Sequence, residues 1–137
     1  MVRDATAHDV PAIRDLATKL ALRGSSTGEV LDREITRALE DERSVLVVAD
    51  EAGDVVGYLL GVLAPMPVHG GMALVQELLV RDDRRRAGVG AALMAAFEER
   101  ARSAGAGVVS LATSRAGAFY EALGYAPAAT YYRRTLS

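Results

Sequence analysis

The sequence contains no cysteine and only two histidines, His8 and His69, far apart in the chain. The missing thiols exclude a disulfide framework, a thiolate nucleophile and a cysteine metal site. Two isolated histidines form no metal-ligand spacing such as HExxH, so no metal site is expected. Long apolar runs are also lacking. The longest, Val55 to Met66, is interrupted by glycines and a proline and is too short to span a bilayer. The N-terminus has no basic segment leading into an apolar core, so no signal peptide is expected and a cytoplasmic location is. Lysine is nearly absent, with Lys19 the single one among sixteen basic residues. Together with abundant alanine, that bias suggests a GC-rich, bacterial genome. A net charge of −2 argues against nucleic acid as the main partner. The basic clusters Arg84–Arg86 and Arg133–Arg134 are too short to reverse that balance.

What is present is the composition of one globular domain, residues 1–137. Half the chain is hydrophobic and a quarter is charged. Val2–Ala5 reads as a short strand. A helix then starts at His8–Pro11, capped by Thr6 or Asp9, with Val10, Ile13, Leu16, Ala17 and Leu20 at helical spacing to about Leu22. Gly24–Gly28 breaks it, and a second helix is predicted over Glu29–Asp41. Ser44–Asp50 and Val55–Leu63 read as a hairpin around Glu51–Asp54, and Met72–Val80 as a third long strand. From Gly88, the residues Val89, Leu93, Phe97 and Ala101 recur every fourth position and predict a long helix ending at Gly105–Gly107. Val108–Ala112 reads as a buried strand, Ala116–Leu123 as a short helix, and the weakly alternating Tyr131–Leu136 as a final strand. The fold class is therefore α/β (α+β), an antiparallel meander joined to one parallel crossover through the long helix.

The segment between strand and long helix, Arg84-Arg85-Arg86-Ala87-Gly88-Val89-Gly90-Ala91, has the chemistry of an anion site. Amides at a helix start lack intrahelical partners and carry partial positive charge, and glycine lets the backbone approach an anion closely. A dinucleotide fold competes for this reading. However, the third glycine of GxGxxG is missing, and no first βαβ unit with an acidic ribose partner follows. A Walker A loop is excluded, because no Gly-Lys-Ser/Thr occurs.

Four stretches in order resemble the GNAT superfamily of N-acetyltransferases. Arg85-Arg86-Ala87-Gly88-Val89-Gly90 is similar to its Arg/Gln-x-x-Gly-x-Gly/Ala signature. Glu77-Leu78-Leu79-Val80, leading through Arg81 to Arg85, resembles the strand that precedes that signature. Ala116 to Tyr125, with Phe119-Tyr120-Glu121, is similar to the family's C-terminal motif, and Arg3 to Asp9 to its usual opening. The resemblance covers nearly the whole chain. It implies a mixed, mostly antiparallel central sheet with a splayed parallel strand pair, flanked by helices, and acetyl-CoA as co-substrate.

By position, the resemblance implies that Arg85, Arg86, Ala87, Gly88, Val89, Gly90 and Ala91 hold the pyrophosphate. Backbone groups of Leu78, Leu79 and Val80 would pair with the pantetheine, and amides after Leu78 would polarise the thioester carbonyl. Tyr120 matches the tyrosine that protonates the leaving thiolate, and Glu77 the position that often serves as base, directly or through water. Thr113 stands where many relatives carry asparagine, and its hydroxyl or that of Ser114 would make the same pantetheine contact. Asp82 and Asp83 are expected to be solvated or to cap the helix.

The implied reaction is direct attack by a primary amine of a small molecule or peptide. The alternative is a non-catalytic acyl-CoA-binding module that senses or regulates through a partner. Dimers are common in the family, so a homodimer is among the implied partners. The acceptor pocket is expected from Leu22–Leu31 and Ala64–Gly71, whose few charges favour a weakly charged amine, with His69 a candidate proton relay. Tyr131 and Tyr132 are candidate pocket walls.

Overall fold

Apolar, β-branched runs dominate the middle of the chain and form its two central strands. The computed structural model describes residues 1–21 and 27–136. In chain order the elements are β1 (Val2–Asp4), α1 (Val10–Ala21), α2 (Gly28–Glu40), β2 (Ser44–Glu51), β3 (Asp54–Ala64), β4 (Met72–Val80), α3 (Val89–Ser103), β5 (Val108–Leu111) and α4 (Gly117–Ala122). The strands form one sheet in the order β1-β2-β3-β4-β5. All neighbours are antiparallel except β4 and β5, which are parallel and joined through α3. The expected end of the first helix near Leu22, the break at 24–26 and Arg23 lie outside the described residues.

Val45 through Ala49 of β2 are all buried, because helices cover both faces of the sheet. Val45, Val47 and Ala49 pack toward α3 with Leu93 and Phe97, and Leu46 and Val48 pack toward α1 and α2 with Ile13, Leu16 and Ile35. The four-residue spacing of Val89, Leu93, Phe97 and Ala101 places all four in the α3 core. Two glycines on β3 let that helix approach. A Cβ at Gly57 would stand 3.2 Å from Leu93 Cδ1, and one at Gly61 would stand 2.5 Å from Phe97 Cζ.

At the other end of the sheet, Arg3 ties three segments together. It donates to both carboxylate oxygens of Asp9 (2.8 and 3.0 Å) and to Asp50 at 3.0 Å. Asp9 also accepts from the Thr6 amide at 2.8 Å, which closes the turn leading into α1. Thr27 caps α2 by accepting from the Val30 amide.

One expected element does not form. Residues 131–136 carry no strand, and the described residues make a sheet of five strands rather than six. Tyr131-Tyr132 and Arg133-Arg134 come as like pairs, so alternation gives neither face an apolar row to bury. Tyr131, Tyr132 and Leu136 are accordingly 65%, 87% and 86% exposed.

Candidate active site

The site is organised by a one-residue irregularity in β4. Leu60 of β3 faces Glu77, but Gly61 faces Val75, so Gln76 is an extra residue, a β-bulge. Before the bulge, Ala73 and Val75 point into the α3 core. After it, Leu78 and Val80 do so instead, while Leu79 joins the α1/α2 side. The bulge thereby turns Glu77 away from the α3 core and toward α2.

β5 leaves β4 at the same place. Their ladder ends at Val75 and Leu111, whereas β3 stays paired with β4 as far as Val80. Beyond Val75, the β5-facing edge of β4 has no strand partner among the described residues. Leu78, Leu79 and Val80 lie along this open edge.

Past β4, a 3-10 turn over Asp82–Arg84 leads to α3. The arginines of this stretch divide by role. Arg81 pairs with Asp54 at 2.8 Å and Asp83 at 2.6 Å, and Arg84 with Glu51 at 2.7 Å, fastening the turn to the β2–β3 hairpin. Arg85 is exposed and makes a 3.3 Å contact with Asp82, and Arg86 makes no ion pair among the described residues. Asp82 and Asp83 therefore pair with arginine, and neither caps α3, whose N-cap Gly88 offers no side chain.

The backbone of the turn is unusual. Arg86 has φ +66° and Gly88 φ +83°. A left-handed non-glycine residue costs about 1–2 kcal/mol, and such outliers gather at ligand sites. The first backbone bond of α3 runs from Ala92 to Gly88, so the amides of Val89, Gly90 and Ala91 precede the helical ladder. Nothing lies within 4 Å of a Cβ built on Gly88, while one on Gly90 would meet Phe119 Cζ at 3.1 Å. Gly90 thus lets α4 close over the α3 start, and Gly88 faces open space. Free amides, a left-handed turn and the exposed Arg85 and Arg86 fit a pyrophosphate, and the open β4 edge beside them fits an extended amide-bearing arm.

Tyr120 of α4 packs partly buried against the α3 side of the sheet, edge-on to Phe119 at 4.9 Å and Tyr125 at 6.0 Å. Burial raises the pKa of its phenol, and its hydroxyl has no hydrogen-bond partner among the described residues. Tyr125 donates to Glu98 at 2.6 Å and anchors the end of α4 to α3. The Thr113 hydroxyl accepts from the Ala116 amide at 3.0 Å, so one lone pair serves the local turn and its O–H stays available.

Glu77 and Tyr120 thus lie on opposite faces of the sheet, on either side of the β4–β5 gap. Sequence reasoning missed the group that meets Glu77. Tyr58 on β3 donates its phenolic proton to Glu77 Oε1 at 2.8 Å. The available signal was a single polar-tipped residue inside the apolar run Val55–Leu63. Glu77 also lines a cleft of about 630 Å³ between β4 and α2, whose charged wall comprises Glu34, Arg37, Glu40 and Asp41.

Of the expected acceptor walls, residues 22–26 lie outside the described residues, Tyr131 lines a cavity of about 520 Å³ with Thr113 and Tyr120, and the segment Ala64–Gly71 is not brought to Glu77. Pro67–His69 forms a 3-10 turn at the opposite end of β4, with the Gly107 amide bonded to Gly71 O at 2.9 Å. Five residues of strand, roughly 17 Å, separate Met72 from Glu77, so His69 is no relay to Glu77. The weak charge expected of the pocket came from that loop and from residues 22–31. Beside Glu77 the wall is acidic instead.

A model of the acetyltransferase (GNAT) family matches residues 10–125. The chain belongs to that family. Among solved structures, a Trypanosoma brucei acetyltransferase is similar at 25% identity and TM-score 0.84, with 99% of each chain covered. Glucosamine-6-phosphate N-acetyltransferase from Arabidopsis thaliana shares the GNAT fold at 19% identity and TM-score 0.86, covering 100% of this chain and 98% of that one. A Bacillus halodurans protein described as a transcriptional regulator shares it at 21% identity and TM-score 0.85, with 99% of each covered. Among curated proteins, no sequence matches. No described helix is long and apolar enough to cross a membrane.

Proposed function

We propose that the protein is an acetyl-CoA-dependent N-acetyltransferase whose acceptor is a cationic primary amine. The observation that carries this reading is the joint layout of the open β4 edge, the unpartnered amides at the α3 start, and a carboxylate and a phenol on opposite faces of the gap between them. Bound acetyl-CoA would supply an activated acetyl thioester. The amides of Val89–Ala91 and the side chains of Arg85 and Arg86 would hold its pyrophosphate. The Leu78–Val80 edge would bind the pantetheine arm, with the Thr113 O–H as a further donor, and an amide after Leu78 would polarise the carbonyl.

Glu77 accepts a proton from the incoming ammonium, which frees the nitrogen lone pair. The C–N bond then forms as the C–S bond breaks, the Tyr120 hydroxyl gives its proton to the departing thiolate, and the second proton shed by the new amide nitrogen returns through solvent to restore the phenol. Burial keeps that phenol protonated at neutral pH, as an acid requires. With no cysteine in the chain, direct attack needs no covalent enzyme intermediate.

The cleft favours positive charge. Arg37 is taken up by Glu34 at 2.9 Å, leaving Glu40, Asp41 and Glu77 as an anionic excess. Glu40 and Asp41 also sit at the C-terminus of α2, where the helix dipole disfavours anions.

The test is thiol release from acetyl-CoA with spermidine, a lysine-containing peptide and glucosamine 6-phosphate as acceptors. Saturable release is expected, faster with the first two. Tyr120→Phe should lower turnover about tenfold or more while leaving acetyl-CoA affinity within about twofold. Saturable CoA binding with no acceptor-dependent release would instead favour the non-catalytic acyl-CoA-binding module.

A further inference from the structure

Tyr58 is one of the largest fully buried side chains in the protein, 1% exposed, and its ring packs with Ile13, Ile35 and Leu79. A phenylalanine would fill that space equally well. The hydroxyl is the difference, and a buried hydroxyl is costly unless it is bonded. Its partner is Oε1 of Glu77, at 2.8 Å. Glu77 itself is exposed at the lip of the α2 cleft. An exposed glutamate ordinarily samples many rotamers and must give up that freedom to act at one place. Here a rigid core residue on the neighbouring strand holds one oxygen, and Oε2 remains for the substrate.

We propose that Tyr58 is a positioning residue: by donating to Oε1 it locks the Glu77 carboxylate in the orientation that receives the acceptor's proton. This rests on the reading of Glu77 as the base. Tyr58 is not itself a proton carrier. Burial and the adjacent carboxylate hold its phenol protonated, and no second acceptor reaches its oxygen among the described residues. The other charged groups lining the cleft with Glu77, namely Glu34, Arg37 and Glu40 of α2 and Asp41 just beyond it, make no hydrogen bond to Glu77. Orientation therefore falls to Tyr58. The bulge at Gln76 makes the contact available, since it turns Glu77 to the Tyr58 side of the sheet.

The experiment is a double-mutant cycle on thiol release, using whichever of the three named acceptors reacts fastest with the wild type. Tyr58→Phe should lower kcat about tenfold with the KM for acetyl-CoA within about twofold, because misplacing a reacting group costs rate rather than donor binding. In a Glu77→Gln background the same change should cost nothing further. A loss of equal size in both backgrounds would assign Tyr58 to packing alone and overturn the proposal, as would an unchanged kcat. Glu77→Asp is a second variant on an exposed position that leaves the core intact. Its shortened carboxylate should lose turnover as Tyr58→Phe does, and full turnover there would also overturn the proposal. A wild type releasing no thiol with any acceptor would remove the transferase reading and this role with it. An active wild type without coupling between positions 58 and 77 removes this role only.

Discussion

Gly61→Ala tests the claim that α3, and with it the proposed donor site, is seated by missing side chains on β3. The new Cβ would stand 2.5 Å from Phe97 Cζ and 2.8 Å from the Leu74 carbonyl oxygen. Ordinary contact begins near 3.4 Å, so the overlap approaches one ångström. Neither neighbour can yield easily. Phe97 is fully buried in the α3 core, and Leu74 is hydrogen-bonded into β4 between two strands. Overpacking of this kind costs about 3 kcal/mol at the upper end of its range. Replacing glycine recovers up to about 1 kcal/mol through the unfolded chain. A net loss of about 2 kcal/mol corresponds to a Tm lower by roughly 6–8 °C in a domain of this size. Calorimetry on the wild type, Gly61→Ala, Phe97→Leu and the double variant separates the contributions. The double variant should recover part of the loss, because only the Leu74 contact then remains. A Tm for Gly61→Ala within about 2 °C of the wild type would refute the close seating of α3.

Arg86→Gly should separate stability from donor binding. It relieves a left-handed residue worth about 1–2 kcal/mol and adds about 0.5–1 kcal/mol of unfolded-chain entropy, so Tm should hold or rise slightly. Calorimetric titration with CoA should meanwhile show several-fold weaker binding from the lost charge; a fall in Tm with unchanged affinity would defeat both halves. Asp9→Asn addresses acid stability. Hydrogen bonding from Arg3 lowers the Asp9 pKa in the folded protein, so the stabilisation is fully present above the unfolded value, about 3.9. It is lost as pH falls through the folded value. Urea melts should find the variant less stable than the wild type at pH 7, with the gap closing below pH 4. A gap of constant size down to pH 2.5 would contradict the assignment.

Elements with strong periodicity were legible in the sequence, and those lacking it were not. Val89, Leu93, Phe97 and Ala101 carried α3, and the apolar runs of β2 and β3 carried the centre of the sheet. The turn from β4 into α3 was legible because its signal is local, with glycines, arginines and a helix start in one stretch. Tyr131–Leu136 misled, because a few β-formers in a row do not supply the one-sided apolar face that pays for a strand. The cleft beside Glu77 was illegible for a different reason. It is assembled from the far end of α2 and the middle of β4, and nothing local joins Glu40 to Glu77. His69 belongs to the Pro/Gly loop expected beside the acceptor, and the topology places that loop at the other end of β4.

The bulge at Gln76 explains why strand alternation alone misplaces Glu77, the proposed base. Counted in twos from Ala73 and Val75, Glu77 would enter the same buried face and place a carboxylate among Leu93, Met94 and Phe97. A buried, unpaired carboxylate is strongly unfavourable, so a regular strand would conflict with the sequence at this position. One additional residue resolves the conflict, because it moves Glu77 to the α2 side and brings Leu78 and Val80 into the α3 core. The change falls where β5 departs, immediately after Val75. The irregularity that turns the carboxylate toward Tyr58 and the acidic cleft therefore coincides with the opening of the strand edge where a thioester arm can lie. In the proposed reaction, donor and acceptor sides are thus set against each other by backbone geometry, and the facing of Glu77 depends on Gln76 even though Gln76 need supply no chemistry of its own.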